Sequence, residues 1–140
     1  MKTVDEISSD EPLRAADTVS VLVADDESAV RRFVVRVLER EGYAVSEARD
    51  GAEALELLKL EPSAFSVVVS DIVMPRKNGV ELMQELSVLF PGLPVILMSG
   101  YATAALAELG IAAPCSILPK PFPSERLIEE VRRCARKIPR

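Results

Sequence analysis

Short apolar runs alternate along the chain with segments in which apolar residues recur every three or four positions. The short runs predict β-strands, and the helical spacing predicts α-helices that each bury one face. Because parallel neighbours need a crossover connection, this alternation predicts an α/β fold with a doubly wound parallel sheet. The predicted strands are 20–24, 43–48, 66–70, 94–98 and 115–118, and the apolar stripes of the five helices lie within 30–38, 54–58, 82–90, 102–109 and 127–138.

The first 17 residues are polar and acidic and lack a sustained apolar period. They predict a mobile acidic leader (1–17) before one domain (18–140). No apolar run could serve as a signal peptide or a membrane span, so we expect a cytoplasmic protein without membrane contact. The net charge of −5, with scattered basic residues, argues against a nucleic-acid surface.

The chain has two cysteines, Cys115 and Cys134, and no histidine. In an intracellular protein such cysteines are expected to stay reduced and to pack as small apolar groups without a redox role. The absence of histidine excludes a histidine-based triad and an internal phosphohistidine. Any phosphoryl group that the chain accepts would therefore have to come from another molecule.

Polar residues follow the predicted strands where each strand ends. Asp25 and Asp26 follow the first strand, Asp71 the third, Ser99 the fourth and Lys120 the fifth. Carboxyl ends of parallel strands share one edge of a sheet, which is where ligands of such folds bind. Three carboxylates and one lysine leave a formal charge of about −2, which calls for a cation, and an all-oxygen acidic site favours Mg2+.

A carboxylate beside Mg2+ can attack phosphorus, because the metal screens the incoming phosphoryl oxygens. Asp71 fits the role of that nucleophile. Lys120 offers a point charge to one phosphoryl oxygen, and the Ser99 hydroxyl offers a hydrogen bond to another. Taken singly, each of these residues also fits a helix cap, a turn or a solvated loop. Asp50, which lies outside this set, is best explained as a cap for the second helix.

From Ser20 to Ile138 the chain resembles response-regulator receiver domains of two-component signalling. The matching motifs are VADDE at 23–27, SDIVMP at 70–75 with Gly79, MSG at 98–100 and PKPF at 119–122. This resemblance implies a flavodoxin-like sheet with strand order 2-1-3-4-5.

The resemblance also implies a set of metal ligands. Asp71 would be the phosphoacceptor, and Asp26 and Asp71 would ligate Mg2+ directly. Asp25 would bind the ion partly through water, and Val73 would supply a backbone carbonyl.

The remaining roles concern the phosphoryl group. Lys120 would contact it, with a cis peptide bond to Pro121, and Ser99 would be the switch hydroxyl. The family usually carries Tyr or Phe three residues before this lysine, but this chain has Ile117, and an aromatic residue instead follows the switch hydroxyl at Tyr101.

The predicted function is therefore that of a phosphoacceptor in a phosphorelay. A histidine kinase or a histidine phosphotransfer protein would donate to Asp71, and the chain would signal through a surface change around the helix at 102–109 and the fifth strand. The chain ends about twenty residues past Lys120, so we expect a stand-alone receiver or one excised from a hybrid kinase rather than a turnover enzyme.

Two alternatives belong to other classes of protein. One is a phosphatase resembling the haloacid dehalogenase family, which would need a second acid two residues after Asp71, where this chain has Val73. The other is a binding module with a vestigial site, which the intact set of strand-end residues disfavours.

Overall fold

A computed structural model describes residues 19–100 and 114–136, which form five strands and four helices. The predicted leader at 1–17, the predicted helix at 102–109 and residues 137–140 lie outside these ranges. No helix within them is long and apolar enough to cross a lipid bilayer. The strands are β1 (Ser20–Ala24), β2 (Ala44–Ala48), β3 (Val67–Asp71), β4 (Val95–Ser99) and β5 (Ser116–Pro119), and the helices are α1 (Ser28–Arg40), α2 (Gly51–Leu60), α3 (Gly79–Leu89) and α4 (Ser124–Cys134).

The strands form one parallel sheet in the order β2-β1-β3-β4-β5, as the resemblance implied. β3, β4 and β5 each begin and end one residue later than the apolar pattern predicts. Asp71 and Ser99 are therefore the last residues of their strands, paired with Met98 and Pro119, rather than the first residues of loops. Their backbones are held by the sheet ladder.

Helices cover both faces of the sheet. Residues along each central strand point alternately to opposite sides, so each face has apolar side chains that a helix can bury. Val21 and Val23 of β1 belong to a cluster with α1 and α4, whereas Leu22 and Ala24 belong to a cluster with α2 and α3. All four side chains are fully buried. The predicted doubly wound architecture is confirmed.

Two predicted helix faces differ in detail from the structure. Phe33 was expected on the inner stripe of α1, but it is 43% exposed, and its ring is tilted by 48° against that of Phe122, with ring centroids 6.5 Å apart. The last helix ends at Cys134, although its stripe was predicted to continue to 138. Ala135 is extended there, and Arg136 instead donates from its backbone N–H to the Ser66 carbonyl before β3.

The prediction that the two cysteines remain reduced is wrong for this structure. Cys115 and Cys134 form a disulfide, with their Cα atoms 6.0 Å apart. Cys134 is buried at the end of α4, whereas Cys115 is exposed just before β5. The fold brings the two residues within bridging distance although nothing in their spacing along the sequence predicts it.

Replacement of the exposed cysteine tests this bond. Cys115→Ser should lower the free energy of unfolding by about 3 kcal/mol in oxidising buffer, because the bond closes a loop of the size for which that stabilisation is typical. Chemical denaturation measures the change, with a reducing agent abolishing the difference between variant and native chain. Two titratable thiols in the oxidised native chain would contradict the assignment.

Candidate functional site

Three carboxylates meet at the carboxyl edge of the sheet. Asp25 and Asp26 follow β1, and Asp71 ends β3, which is the neighbour of β1 in the sheet. One carboxylate oxygen from each lies within 4.8 Å of the others. The structure thus brings together the acids that were expected to converge, at a spacing that one small cation can span.

Lys120 faces this cluster from the end of β5. Its Nζ lies 3.2 Å from Asp71 Oδ1 and 3.8 Å from Asp25 Oδ2. Its backbone N–H donates to the carbonyl of the buried Ser99 at 2.7 Å, which joins the ends of β4 and β5. The peptide bond between Lys120 and Pro121 is cis, as the resemblance implied.

Asp25 is the most constrained of the three acids, because its side chain is fully buried. Its Oδ1 accepts from the Glu27 N–H at 2.9 Å, and its own N–H donates to the Ala48 carbonyl at 3.1 Å. Its Oδ2 is buried and accepts no hydrogen bond from the described part of the chain. Its nearest cationic group there is the Lys120 ammonium, at 3.8 Å.

The pKa of Asp25 is raised from 3.8 to about 6, mainly by burial and also by the nearby charges of Asp71 and Asp26. The Glu27 N–H and the Lys120 ammonium oppose these effects without cancelling them. A carboxylate held in this way is stabilised when a divalent cation approaches its second oxygen, here Oδ2.

Arg31 of α1 is part of the same edge, although the sequence did not single it out. Its Nη1 donates to the Asp25 carbonyl at 2.8 Å, and its Nε pairs with Glu47 of β2 at 2.9 Å. The side chain of Arg31 is only 12% exposed. Its partner lies 16 residues away on another element, so no local pattern marks this arginine as more than a surface charge of a helix.

The backbone after Asp71 turns sharply and keeps its carboxylate in place. The Ile72 N–H donates to Asp71 Oδ1 at 2.9 Å, and the Gly79 N–H donates back to the Ile72 carbonyl at 2.9 Å. A Cβ at Gly79 would collide with the Asp71 carbonyl oxygen, so only glycine fits this close approach. Val73, expected to offer its carbonyl to the ion, lies between these contacts with 55% of its surface exposed.

The residues of this edge fit a hard divalent cation. All candidate donors are oxygens, three carry charge, and one buried oxygen has no hydrogen-bond partner among the described residues. Such a donor set favours Mg2+ over softer ions, and Mg2+ keeps several waters when it binds to a few carboxylates.

Comparison with known proteins places the chain in a family. Residues 21–132 match the response regulator receiver domain. The chain belongs to this family, and it is therefore a receiver domain of two-component signalling.

Individual relatives agree with this assignment. The chain is 40% identical over 121 residues to the sensor kinase CckA of Brucella abortus (strain 2308), covering 86% of this chain but 13% of the kinase. It is 37% identical to the response regulator receiver protein CpdR of the same strain, covering 79% of this chain and 92% of CpdR. The crystal structure of the NtrX receiver domain from Brucella abortus superposes with a TM-score of 0.74 at 32% identity, covering 81% of this chain and 96% of that one.

Removal of the Asp25 charge tests the electrostatics of the cluster. Because the pKa of Asp25 is raised on folding, its contribution to stability is fully present below about pH 3.8 and is lost as the pH rises through about 6. In the presence of a chelator, Asp25→Asn should therefore be more stable than the native chain by about 3 kcal/mol at neutral pH. Denaturation across the pH range measures this difference, which should vanish near pH 4. A difference that does not change with pH would contradict the assignment.

Proposed function

We propose that the chain accepts a phosphoryl group on Asp71 from the phosphohistidine of a histidine kinase or a histidine phosphotransfer protein. The observation that carries this proposal is the placement of Asp71. Its carboxylate belongs to a cluster of three acids and lies 3.2 Å from the Lys120 ammonium, in a chain that belongs to the receiver family.

Asp25, Asp26, Asp71 and the backbone carbonyl of Val73 would hold Mg2+. When bound, the ion neutralises charge on the phosphoryl oxygens and on the crowded carboxylates. The buried Oδ2 of Asp25, which accepts no hydrogen bond from the described residues, and the short spacing of the three acids support this ligand set.

Transfer forms one bond to phosphorus and breaks another. Asp71 Oδ1 already accepts from the Ile72 N–H and contacts Lys120, which leaves Oδ2 as the attacking oxygen. The new O–P bond forms as the N–P bond to the donor imidazole breaks, and the electron pair of that bond stays on the imidazole nitrogen. Lys120 then shifts from the carboxylates to a phosphoryl oxygen, and the Ser99 hydroxyl donates to another.

Output follows from the added charge. Phosphorylation adds roughly one and a half to two negative charges beside Lys120 and Ser99, whose backbones are hydrogen-bonded to each other. Movement of these residues would reach β5 and the predicted helix at 102–109, which lies outside the described residues. Ile117 of β5 is only partly buried, and it stands where the family usually carries Tyr or Phe.

Mass measurement after incubation with acetyl phosphate and Mg2+ tests the proposal. The native chain should gain one phosphoryl group, and Asp71→Asn should gain none, because the amide is not a nucleophile toward phosphorus. A chelator should abolish labelling of the native chain. Unchanged labelling of Asp71→Asn, or labelling without a divalent cation, would contradict the proposed mechanism.

The same preparation distinguishes the two other classes of function. Sustained hydrolysis of a simple phosphoester such as p-nitrophenyl phosphate, with many turnovers per chain, would indicate a phosphatase. Failure of the native chain both to bind Mg2+ and to be labelled would indicate a vestigial site.

A further inference from the structure

The loop between β3 and α3, residues 72–78, has an unusual backbone at Arg76. Its φ is 64°, in the left-handed region that non-glycine residues rarely adopt. This conformation costs about 1 kcal/mol for such a residue, so contacts elsewhere must stabilise it. The sequence offers no glycine at this position to remove that cost.

Asp50 provides the main contact. Its Oδ2 accepts from Arg76 Nε at 2.7 Å and its Oδ1 from Nη2 at 3.1 Å, a two-point pairing that fixes the guanidinium plane. Asp50 is 6% exposed, and the Arg76 hydrogen bonds hold its pKa below the ordinary value. Its Oδ1 also accepts from the Glu53 N–H at 2.9 Å and so caps α2.

A second contact joins the same two segments through their backbones. The Gly51 N–H donates to the Lys77 carbonyl at 3.0 Å, and a Cβ at Gly51 would collide with that carbonyl oxygen. Lys77 is further anchored by its Nζ, which lies 2.6 Å from Glu85 of α3. Residues 76 and 77 are therefore fixed against the N-terminus of α2.

The other end of the loop is fixed at the site itself. The Ile72 N–H donates a hydrogen bond to Asp71 Oδ1, and the Ile72 carbonyl accepts one from the Gly79 N–H. Between this end and the contacts at 76 and 77 stand only three residues, among them Val73. A short segment held at both ends has few conformations, so the direction of the Val73 carbonyl depends on both anchors.

We propose that the Asp50–Arg76 pair positions the Val73 carbonyl for the metal, which makes Asp50 and Arg76 positioning residues of the site. They act through the β3–α3 loop and do not supply ligands themselves. This inference rests on the proposed function, because it assigns the pair a role toward the Mg2+ that phosphoryl transfer requires. Groups that orient metal ligands from outside the ligand set typically change metal affinity when they are removed.

A purely structural pair is the competing explanation, and Asp50→Asn separates the two. Asparagine caps helices as well as aspartate does, so this variant keeps the cap on α2 and removes the ion pair. Arg76→Ala removes the pair from the other side, at a side chain that is 60% exposed. Arg49→Ala is the matched control, since it removes an exposed arginine paired with Glu53 at 3.2 Å without touching the loop.

Calorimetric titration with Mg2+ provides the test, at a temperature where circular dichroism shows every variant folded. Asp50→Asn and Arg76→Ala should each raise the Kd for Mg2+ about tenfold. The double variant should raise it no further, because both changes break one link. Arg49→Ala should bind Mg2+ as the native chain does. Gly51→Ala, which displaces the Lys77 carbonyl, should also weaken Mg2+ binding with the pair intact.

Each result decides the inference. If Asp50→Asn and Arg76→Ala bind Mg2+ with the same Kd as the native chain and only their melting midpoints fall, the pair has a structural role and the inference is overturned. Additive losses in the double variant would overturn the single link between them. In both cases the native chain would still bind Mg2+ and be labelled at Asp71, so the proposed function would stand. A native chain that neither binds Mg2+ nor accepts the phosphoryl group would overturn the proposed function and this inference with it.

Discussion

Repulsion among three carboxylates at one edge of the sheet is the constraint on which the rest of this structure depends. Their oxygens lie within 4.8 Å of one another, and one of the acids, Asp25, is fully buried. Burial, and to a lesser extent the nearby like charges, oppose ionisation, which is why the pKa of Asp25 is raised. Lys120 offsets only part of this charge, so a bound cation would stabilise the cluster.

The scaffold holds that unfavourable cluster together through backbone contacts rather than through the acids themselves. Asp71 is the last residue of a central strand, and the Arg31 guanidinium holds the carbonyl of Asp25. Gly79 lets the returning chain pass against the Asp71 carbonyl where any side chain would collide. The free energy for this arrangement comes from the two apolar layers on the faces of the sheet, which are independent of the charges at its edge.

The sequence predicts what depends on local pattern and topology. Apolar runs and helical periodicity give the strands and helices, and parallel strands bring Asp25, Asp26 and Asp71 to one edge. The features that the sequence does not predict depend on contacts between residues that are distant in the chain. Asp50 was expected to cap α2 and does so, but the partner of its second oxygen lies 26 residues away. The bond between Cys115 and Cys134 escaped prediction for the same reason, because it requires the end of α4 to lie beside β5.

The two sides of the site are held by contacts of different strength. This difference indicates which side a new charge on Asp71 would displace. On one side, the β3–α3 loop is tied to α2 by an ion pair and a backbone hydrogen bond, which resist displacement. On the other side, Lys120 is held to Asp71 and Asp25 mainly by charge, at 3.2 and 3.8 Å, on a flexible side chain. In the proposed function, a phosphoryl group on Asp71 would compete for that ammonium directly. Since the Lys120 N–H donates to the Ser99 carbonyl, the proposed phosphorylation would displace β4 and β5, while the side proposed to hold the metal would keep its geometry.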